Sequence, residues 1–269
     1  MRMKYLFLKM VFILLSATQF YGFAQQKDSV SEPVKNYWNL MDNFSLRYRN
    51  KNEISKTYSG DEIDTLTKKY FKAITEDPIG VKIKRDKDFQ KWSSSGNPKE
   101  IKPAVKLRMM REIIANKYGT NFAEIISVPY YLKVKIVGDS GSVYISPENN
   151  RELRVGQANY FGIIEDVIKG NNFFKVNQKI TISFLSFWVA ESKRTFEVGK
   201  SYFIPLTPWD SYHNYSKLTI DILPDNNFAN YPIQNGEIST PGNFFGIGSS
   251  TNWETFRNYF INKFILKWR

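Results

Sequence analysis

The stretch that decides the fold begins with YYLKVKIV at residues 130–137, where apolar and polar side chains alternate. Lys133 and Lys135 fall on one side of this run, and Leu132 and Val134 fall on the other. Because successive side chains of a β-strand point to opposite faces, this alternation predicts a strand with one buried face and one wet face. More runs of this kind follow. The predicted strands are Tyr130–Val137, Tyr160–Ile168, Lys179–Phe187, Ser201–Leu206 and Lys217–Leu223.

Such a set of antiparallel strands must protect its two edges, either by closing into a barrel or by lying under helices. The second predicted strand favours closure, because Gly162 permits the tight bend of a barrel corner. Its pattern places Phe161, Ile163 and Val167 on the buried face and Asp166 on the wet face. The sequence therefore predicts an α+β fold: a five-stranded antiparallel OB-like barrel, with a helical N-terminal section and a C-terminal helix.

Three segments of the C-terminal half carry a resemblance to a known family. They read IIEDVIKG at 163–170, FKV at 174–176 and FEVGKSY at 196–202. They resemble the OB-like barrel of the tissue-inhibitor-of-metalloproteinases and netrin-module group, over about residues 130–238. The later YPIQNG at 231–236 is similar to what often follows that barrel in bacterial secreted relatives. The resemblance implies a fold only, because those inhibitors reach a target's zinc through an N-terminal cysteine and this chain has none.

The first 24 residues have the features of a secretory signal peptide. Basic residues near the start precede an apolar run at Met10–Leu15, and small residues precede Ala24. A retained membrane anchor is the alternative, but the run is shorter than the roughly 20 residues that a spanning helix needs. We expect cleavage near Ala24 and export to the periplasm or the medium.

The rest of the chain divides into three predicted parts. Residues 25–34 are a flexible leader, residues 35–128 are a helical section packed on the barrel, and residues 129–269 are the barrel with a C-terminal wrap and helix. In the helical section, Ser59 and Glu62 have the spacing of a capping box. The charged, serine-rich segment Lys82–Pro98 predicts a loop or linker.

The C-terminal helix has a clear aromatic stripe. Trp253, Phe256, Phe260 and Phe264 recur at helical spacing, which predicts one buried face. Thr251 is the predicted N-cap, because a glutamate follows three residues later.

The composition excludes several kinds of chemistry. Without cysteine the chain has no disulfide and no thiolate, and His213 is its single histidine, so His/Cys zinc sites and Cys–His nucleophile pairs are excluded. No glycine-rich phosphate loop and no G-x-S-x-G motif occurs. We therefore expect no metal and no cofactor.

The net charge is strongly positive, at +12 for the whole chain. Removing the 3 basic residues of the signal leaves 35 basic against 26 acidic residues, a charge of +9. The charges spread along the predicted helices, as solvated helix faces do. Nucleic acid is not an expected partner, since it would need the charges gathered on the barrel. The sequence carries no signal for an oligomeric state.

OB-type barrels bind through the face of strands two and three and through the loops that join strands one to two and four to five. The candidate ligand-binding residues come from these loops. Here these loops are Asp139–Gln157 and Thr207–Ser216. Aromatic rings beside arginines stack on sugars, bases or protein side chains. The alternative is that the rings plug the end of the barrel. The candidate residues are Tyr144, Arg151, Arg154, Trp209, Tyr212, His213 and Tyr215.

Three hypotheses of function follow. The first is a non-enzymatic module that binds a protein or a glycan at the bacterial cell envelope. The second is a hydrolase of envelope glycan or peptide, with Asp166 and Asp221 as the acidic pair. The third is a purely structural envelope protein.

Overall fold

The computed structural model describes residues 30–47, 57–97, 102–145, 155–186, 196–209, 217–220 and 231–269. The predicted signal at 1–24 lies outside the described residues. The helices of the described part are α1 (Glu32–Arg47), α2 (Gly60–Glu76), α3 (Pro78–Ser95), α4 (Pro103–Tyr118), α5 (Thr120–Ser127) and α6 (Trp253–Phe264). Among these described helices, none is long and apolar enough to cross a membrane.

The first strands of the structure close into a barrel. The strands are β1 (Tyr130–Ile145), β2 (Val155–Lys169), β3 (Lys179–Ser186), β4 (Ser201–Pro208), β5 (Lys217–Ile220), β6 (Tyr231–Gln234), β7 (Glu237–Ser239) and β8 (Ser250–Asn252). Pairing runs β1–β2–β3–β5–β4 and returns from β4 to β1. Strands β6, β7 and β8 extend the sheet from β4. The predicted α+β fold with a five-stranded OB-like barrel is confirmed.

One detail of the predicted barrel is wrong, because β3 and β5 are parallel. The remaining barrel pairs are antiparallel. Strand β4 pairs with β1 and β5 and not with β3. It is antiparallel to β1, which runs in the same direction as β3, and β5 is antiparallel to β4. Strand β5 therefore runs in the same direction as β3. The barrel is therefore mixed.

The interior of the barrel is filled by alternate side chains from all five strands. Gly162 lies where this core is tightest, since a Cβ there would be 2.4 Å from Val134 Cγ1. The close approach of Val134 explains the glycine better than a bend does. The buried interior residues are Tyr130, Leu132, Val134, Ile136, Tyr160, Ile164, Phe174, Ile180, Ile182, Phe196, Tyr202, Ile204, Leu206 and Leu218.

The predicted faces of the second strand are wrong in its first half. Tyr160 and Ile164 point into the barrel, whereas Phe161 is 43 % exposed and Ile163 is only half-buried. Both faces of this segment are apolar, so alternation alone does not choose between them. The observed register leaves an aromatic ring on the outer surface.

Two predicted loops are regular structure. Most of the predicted loop Asp139–Gln157 belongs to a long hairpin of β1 and β2, whose pairs continue to Ile145 and Val155. The predicted linker Lys82–Pro98 is mostly helix α3. Asp77 starts this helix by accepting a hydrogen bond from Gly80 N at 2.8 Å, and Gly96 ends it at φ 63°.

The helix caps confirm one prediction and correct another. The capping box of α2 is present: Glu62 N donates to Ser59 Oγ, and Ser59 N donates to Glu62 at 2.8 Å. In α6 the cap is Asn252 and not Thr251. Its Oδ1 accepts from the backbone amides of Glu254 and Thr255, at 2.9 and 3.3 Å.

The outer side of β1 and β4 carries a second core, built largely of aromatic rings. At its centre Phe203 stacks on Tyr131, with ring centroids 5.2 Å apart and planes 12° apart. The predicted stripe of α6 packs here, with all four of its aromatic residues buried. We call this group the aromatic cluster; the rings around Phe203 are Tyr131, Tyr231, Phe245, Trp253, Phe256 and Phe260.

A buried lysine joins the helical section to the barrel. Lys169, at the end of β2, is 2 % exposed, and its ammonium donates to Ile126 O at 2.9 Å and to Val128 O at 2.6 Å. The same ammonium lies 4.5 Å from the centre of the Phe71 ring in α2. This one cation therefore contacts α2, the end of α5 and the barrel.

We predict that Phe203→Ala lowers the free energy of unfolding by about 3–5 kcal/mol, because it removes the ring at the centre of the aromatic cluster. The measurement is the urea-unfolding midpoint. Phe161→Ala is the control, since its ring is on the surface and its loss should cost no more than about 0.5 kcal/mol. Equal losses for the two variants would contradict the assignment of Phe203 to a core.

Candidate binding face on the barrel

The outer wall of β1, β2 and β3 presents side chains in cross-strand rows. Residues directly opposite each other in a sheet point to the same side. One row runs Lys135–Ile163–Lys179, and the next runs Gly138–Phe161–Thr181–Lys217. We call this surface, together with Lys217 of β5 and Trp209 after β4, the barrel face; it consists of Lys135, Gly138, Asn159, Phe161, Ile163, Lys179, Thr181, Trp209 and Lys217.

The ring of Phe161 is the apolar centre of this face. Its neighbours in the row are Gly138, which has no side chain, and Thr181, which is short. A Cβ at Gly138 would be in ordinary contact with the ring, 3.5 Å from its Cδ2 atom. The absence of that side chain leaves the ring open to solvent on the β1 side. Val137, next to Gly138, is 45 % exposed and adds apolar surface.

Lysines flank the apolar centre. Lys135 and Lys179 are exposed and lie opposite Ile163 from the two neighbouring strands. Neither has a carboxylate partner among the residues that the structure describes. By contrast Lys133, two residues earlier on β1, pairs with Glu165 at 3.3 Å. The free ammonium groups give the face a positive potential.

The face ends at a second aromatic ring. Trp209 follows β4, and its backbone amide donates to Lys217 O at 3.3 Å. The Lys217 ammonium lies 4.5 Å from the centre of the indole ring, a cation–π contact. This contact holds a half-buried indole in the same row as Phe161. Trp209 was predicted from the sequence as a binding residue, and the structure places it on the barrel face.

A polar row borders the aromatic one. Asn159, Ser183 and Thr219 are cross-strand neighbours, and Ser183 Oγ donates to Asn159 Oδ1 at 2.5 Å. The hydroxyl groups of Thr207 and Thr219, which are opposite each other on β4 and β5, supply hydrogen-bonding groups beside the rings. The face therefore combines a stacking surface, free cations and polar groups.

The remaining predicted binding residues have no described side chain. Arg151, Arg154, Tyr212, His213 and Tyr215 lie outside the described residues. They stay predictions. The last predicted binding residue is Tyr144, whose backbone belongs to β1 and whose side chain is not described.

The predicted acidic pair is described only at Asp166. Its carboxylate accepts a hydrogen bond from Arg257 Nε of α6 at 2.6 Å. This hydrogen bond, which outweighs the opposing effect of burial, raises the pKa of the Arg257 guanidinium. Asp221 lies outside the described residues. Across the described ranges, no group of three or more His, Asp or Glu residues is placed to hold a metal ion.

Sequence reasoning missed Phe161, Lys135 and Lys179 as site residues. The available signal was the run FGIIEDVI at 161–168, in which apolar residues occupy both strand faces. A strand of a small barrel buries only one face in the interior, so the other apolar face must pack elsewhere or stay exposed. Whether that outer face is covered or exposed depends on the register in which β2 pairs with β1 and β3.

Comparison with protein-family models, with curated proteins and with solved structures found no match to this chain. The resemblance to the tissue-inhibitor and netrin-module group is therefore supported at the level of the closed five-stranded barrel alone.

We predict that Asp166 and Arg257 are coupled in stability by about 0.5–1 kcal/mol, as a partly exposed ion pair is. Asp166→Asn and Arg257→Gln should each destabilise the protein, and the double variant should lose less than their sum. Urea unfolding of the four proteins measures the coupling. Additive losses would show that the pair contributes nothing to stability and would leave Asp166 free for another role.

Proposed function

We propose that this protein is a non-enzymatic binding module whose barrel face holds an extended, negatively charged glycan at the bacterial cell envelope. The observation that carries the proposal is the exposed Phe161 ring, set among Lys135, Lys179 and Lys217 on a closed barrel. An aromatic ring stacks on the apolar face of a sugar, and an ammonium group attracts a carboxylate or sulfate.

The dimensions of the face favour a chain of several units. Phe161 lies on β2, and Trp209 follows β4 beside β5, so three strand spacings separate them along the wall. At about 4.8 Å per spacing the path along the curved wall from one ring to the other is roughly 14 Å, which exceeds the width of one sugar ring. A polymer that follows the curved wall across the strands would contact both rings and the polar row beside them.

The polar row supports a glycan over other polymers. Hydroxyl groups dominate the surface of a sugar chain, and Thr207 and Thr219 offer donors and acceptors next to the rings. The signal-like residues 1–24 support an exported protein, which meets glycans more often than polynucleotides. The engagement of Asp166 by Arg257 supports binding without hydrolysis.

The first test is binding of oligosaccharides to the full chain by titration calorimetry. We expect a uronic-acid oligosaccharide to bind, and a neutral oligosaccharide of equal length to bind at least tenfold more weakly. Phe161→Ala should lower the affinity at least fivefold, because stacking on one ring is worth about 1–3 kcal/mol. The Lys135→Ala/Lys179→Ala double variant should weaken binding and flatten its dependence on salt.

The matched control is Phe89→Ala, which removes an aromatic ring of similar exposure, 45 %, from helix α3. It should leave the affinity unchanged. Equal binding by wild-type protein and by Phe161→Ala would reject the barrel face as the site. Tighter binding of single-stranded DNA of equal charge would replace the glycan by a polynucleotide.

A second prediction concerns a variant that covers the Phe161 ring instead of removing it. Gly138→Leu places a side chain against Phe161, where a Cβ already comes within 3.5 Å of the ring. We expect it to lower the affinity for the acidic oligosaccharide at least fivefold while the melting temperature stays within a few degrees. Gly138→Ala adds only a methyl group and should bind as the wild type does. Unchanged affinity of Gly138→Leu would show that the ring is not used for stacking.

A further inference from the structure

A concave surface lies on the helical side of the molecule. It is a cleft of about 640 Å³ between helix α2, the turn after β2 and the C-terminal segment. We call it the basic cleft and define it by six of its lining residues: Lys68, Lys69, Phe71, Thr75, Asn171 and Trp268. None of these belongs to the barrel face.

The cleft is rich in positive charge. Lys68, Lys69 and Lys72 lie close together on α2, and all three line the cleft. Lys72 pairs with Glu76 at 3.9 Å, whereas Lys68 and Lys69 have no carboxylate partner among the described residues. The cleft therefore holds more ammonium groups than carboxylates near α2, an arrangement that attracts an anion.

Two buried polar atoms in the lining are unsatisfied. Thr75 Oγ1 and Trp268 Nε1 have almost no exposure to solvent and no hydrogen-bond partner in the described part of the chain. Thr67, two turns earlier on α2, shows the usual alternative, since its hydroxyl donates to Ile63 O at 2.7 Å. Buried polar groups without partners are rare because they cost free energy. A ligand in the cleft would satisfy both groups.

The floor of the cleft is aromatic. Phe71 and Trp268 both line it and are almost fully buried. The Lys169 ammonium, itself buried, lies 4.5 Å from the centre of the Phe71 ring. This cation adds positive potential near the floor. The lining therefore offers apolar surface to a flat group and positive charge to an anionic one.

A larger cavity nearby is less suited to a ligand. It has a volume of about 780 Å³ and lies between α5, residues 243–246 and the end of α6. Two of its polar side chains already have partners in the protein: Asn121 Nδ2 donates to Phe244 O at 3.3 Å, and Asn243 Oδ1 accepts from Gly248 N at 2.5 Å. Trp268 lines both cavities, so Thr75 and the lysines are what distinguish the basic cleft.

We infer that the basic cleft binds a small organic anion in which a phosphate or carboxylate group is attached to a flat apolar ring. Lys68 and Lys69 attract the anionic group, with the amide of Asn171 as a further donor. The ring lies against Phe71 and Trp268. Thr75 Oγ1 and Trp268 Nε1 hydrogen-bond to the ligand and so gain the partners that they otherwise lack.

The test uses the full chain and four probes: phenyl phosphate, benzoate, inorganic phosphate and phenol. Binding is measured by titration calorimetry. We expect phenyl phosphate or benzoate to bind at least tenfold more tightly than either phenol or inorganic phosphate, because only these carry both the ring and the charge. The tighter of the two identifies the anionic group. Equal binding of all four probes would overturn the inference.

Two variants locate the bound probe. Thr75→Val keeps the shape of the side chain and removes its hydroxyl, so affinity should fall at least threefold while the melting temperature stays equal or rises. The Lys68→Ala/Lys69→Ala double variant should bind at least tenfold more weakly. If either variant binds the best probe as the wild type does, the cleft is not the site.

Matched controls separate a local effect from a general one. Thr67→Val removes a hydroxyl from the same helix outside the cleft, and Lys91→Ala/Lys175→Ala removes two exposed lysines elsewhere. Both should bind the best probe within twofold of the wild type. The cleft variants should also leave binding at the barrel face unchanged, so the two sites stand or fall separately.

Discussion

The stack of Phe203 on Tyr131 is the contact on which the rest of the structure depends. Each ring belongs to a barrel strand but points away from the barrel, so β1 and β4 bury side chains on both of their faces. Inside lie Leu132 and Ile204, and outside lie the rings that hold α6. Because α6 and the β6–β8 extension cover this wall, the wall of β2 and β3 is the one left to solvent around Phe161. The covered side thus determines where a ligand has access.

The same packing makes the barrel face a rigid support. Its residues lie on paired strands of a closed barrel, and Lys169 ties the end of β2 to the end of α5 through two backbone carbonyls. Side chains on strands are held in fixed relative positions, which lowers the entropy that a ligand must remove on binding. The basic cleft differs, since it lies between separate elements: α2, the turn at Asn171 and the C-terminal segment at Trp268. A small rigid ligand suits such a cleft, and a long chain suits the face.

Local rules predicted the parts of the fold that depend on neighbours in sequence. The capping box of Ser59 and Glu62 and the aromatic stripe of α6 were recognisable because three or four residues decide them. The serine-rich end of α3 was mistaken for a loop, since Asp77 and Pro78 start that helix well before it. The parallel pairing of β3 with β5 and the outward position of Phe161 depend on partners that are distant in sequence. For the same reason the candidate site was predicted at Trp209 but not at Phe161.

The effect of the positive charge of the chain depends on which lysines pair with a carboxylate. Lys84 pairs with Asp88, and Lys117 pairs with Asp64, and such lysines are largely neutralised by a nearby carboxylate. Lys135 and Lys179 have no such partner in the described part of the chain and lie beside an exposed ring. A cation without a partner keeps its field, and a neighbouring aromatic surface lets it act on a ligand that is both charged and partly apolar. The positive charge is therefore unevenly distributed over the described residues, with unpaired lysines beside aromatic side chains on the barrel face and in the basic cleft.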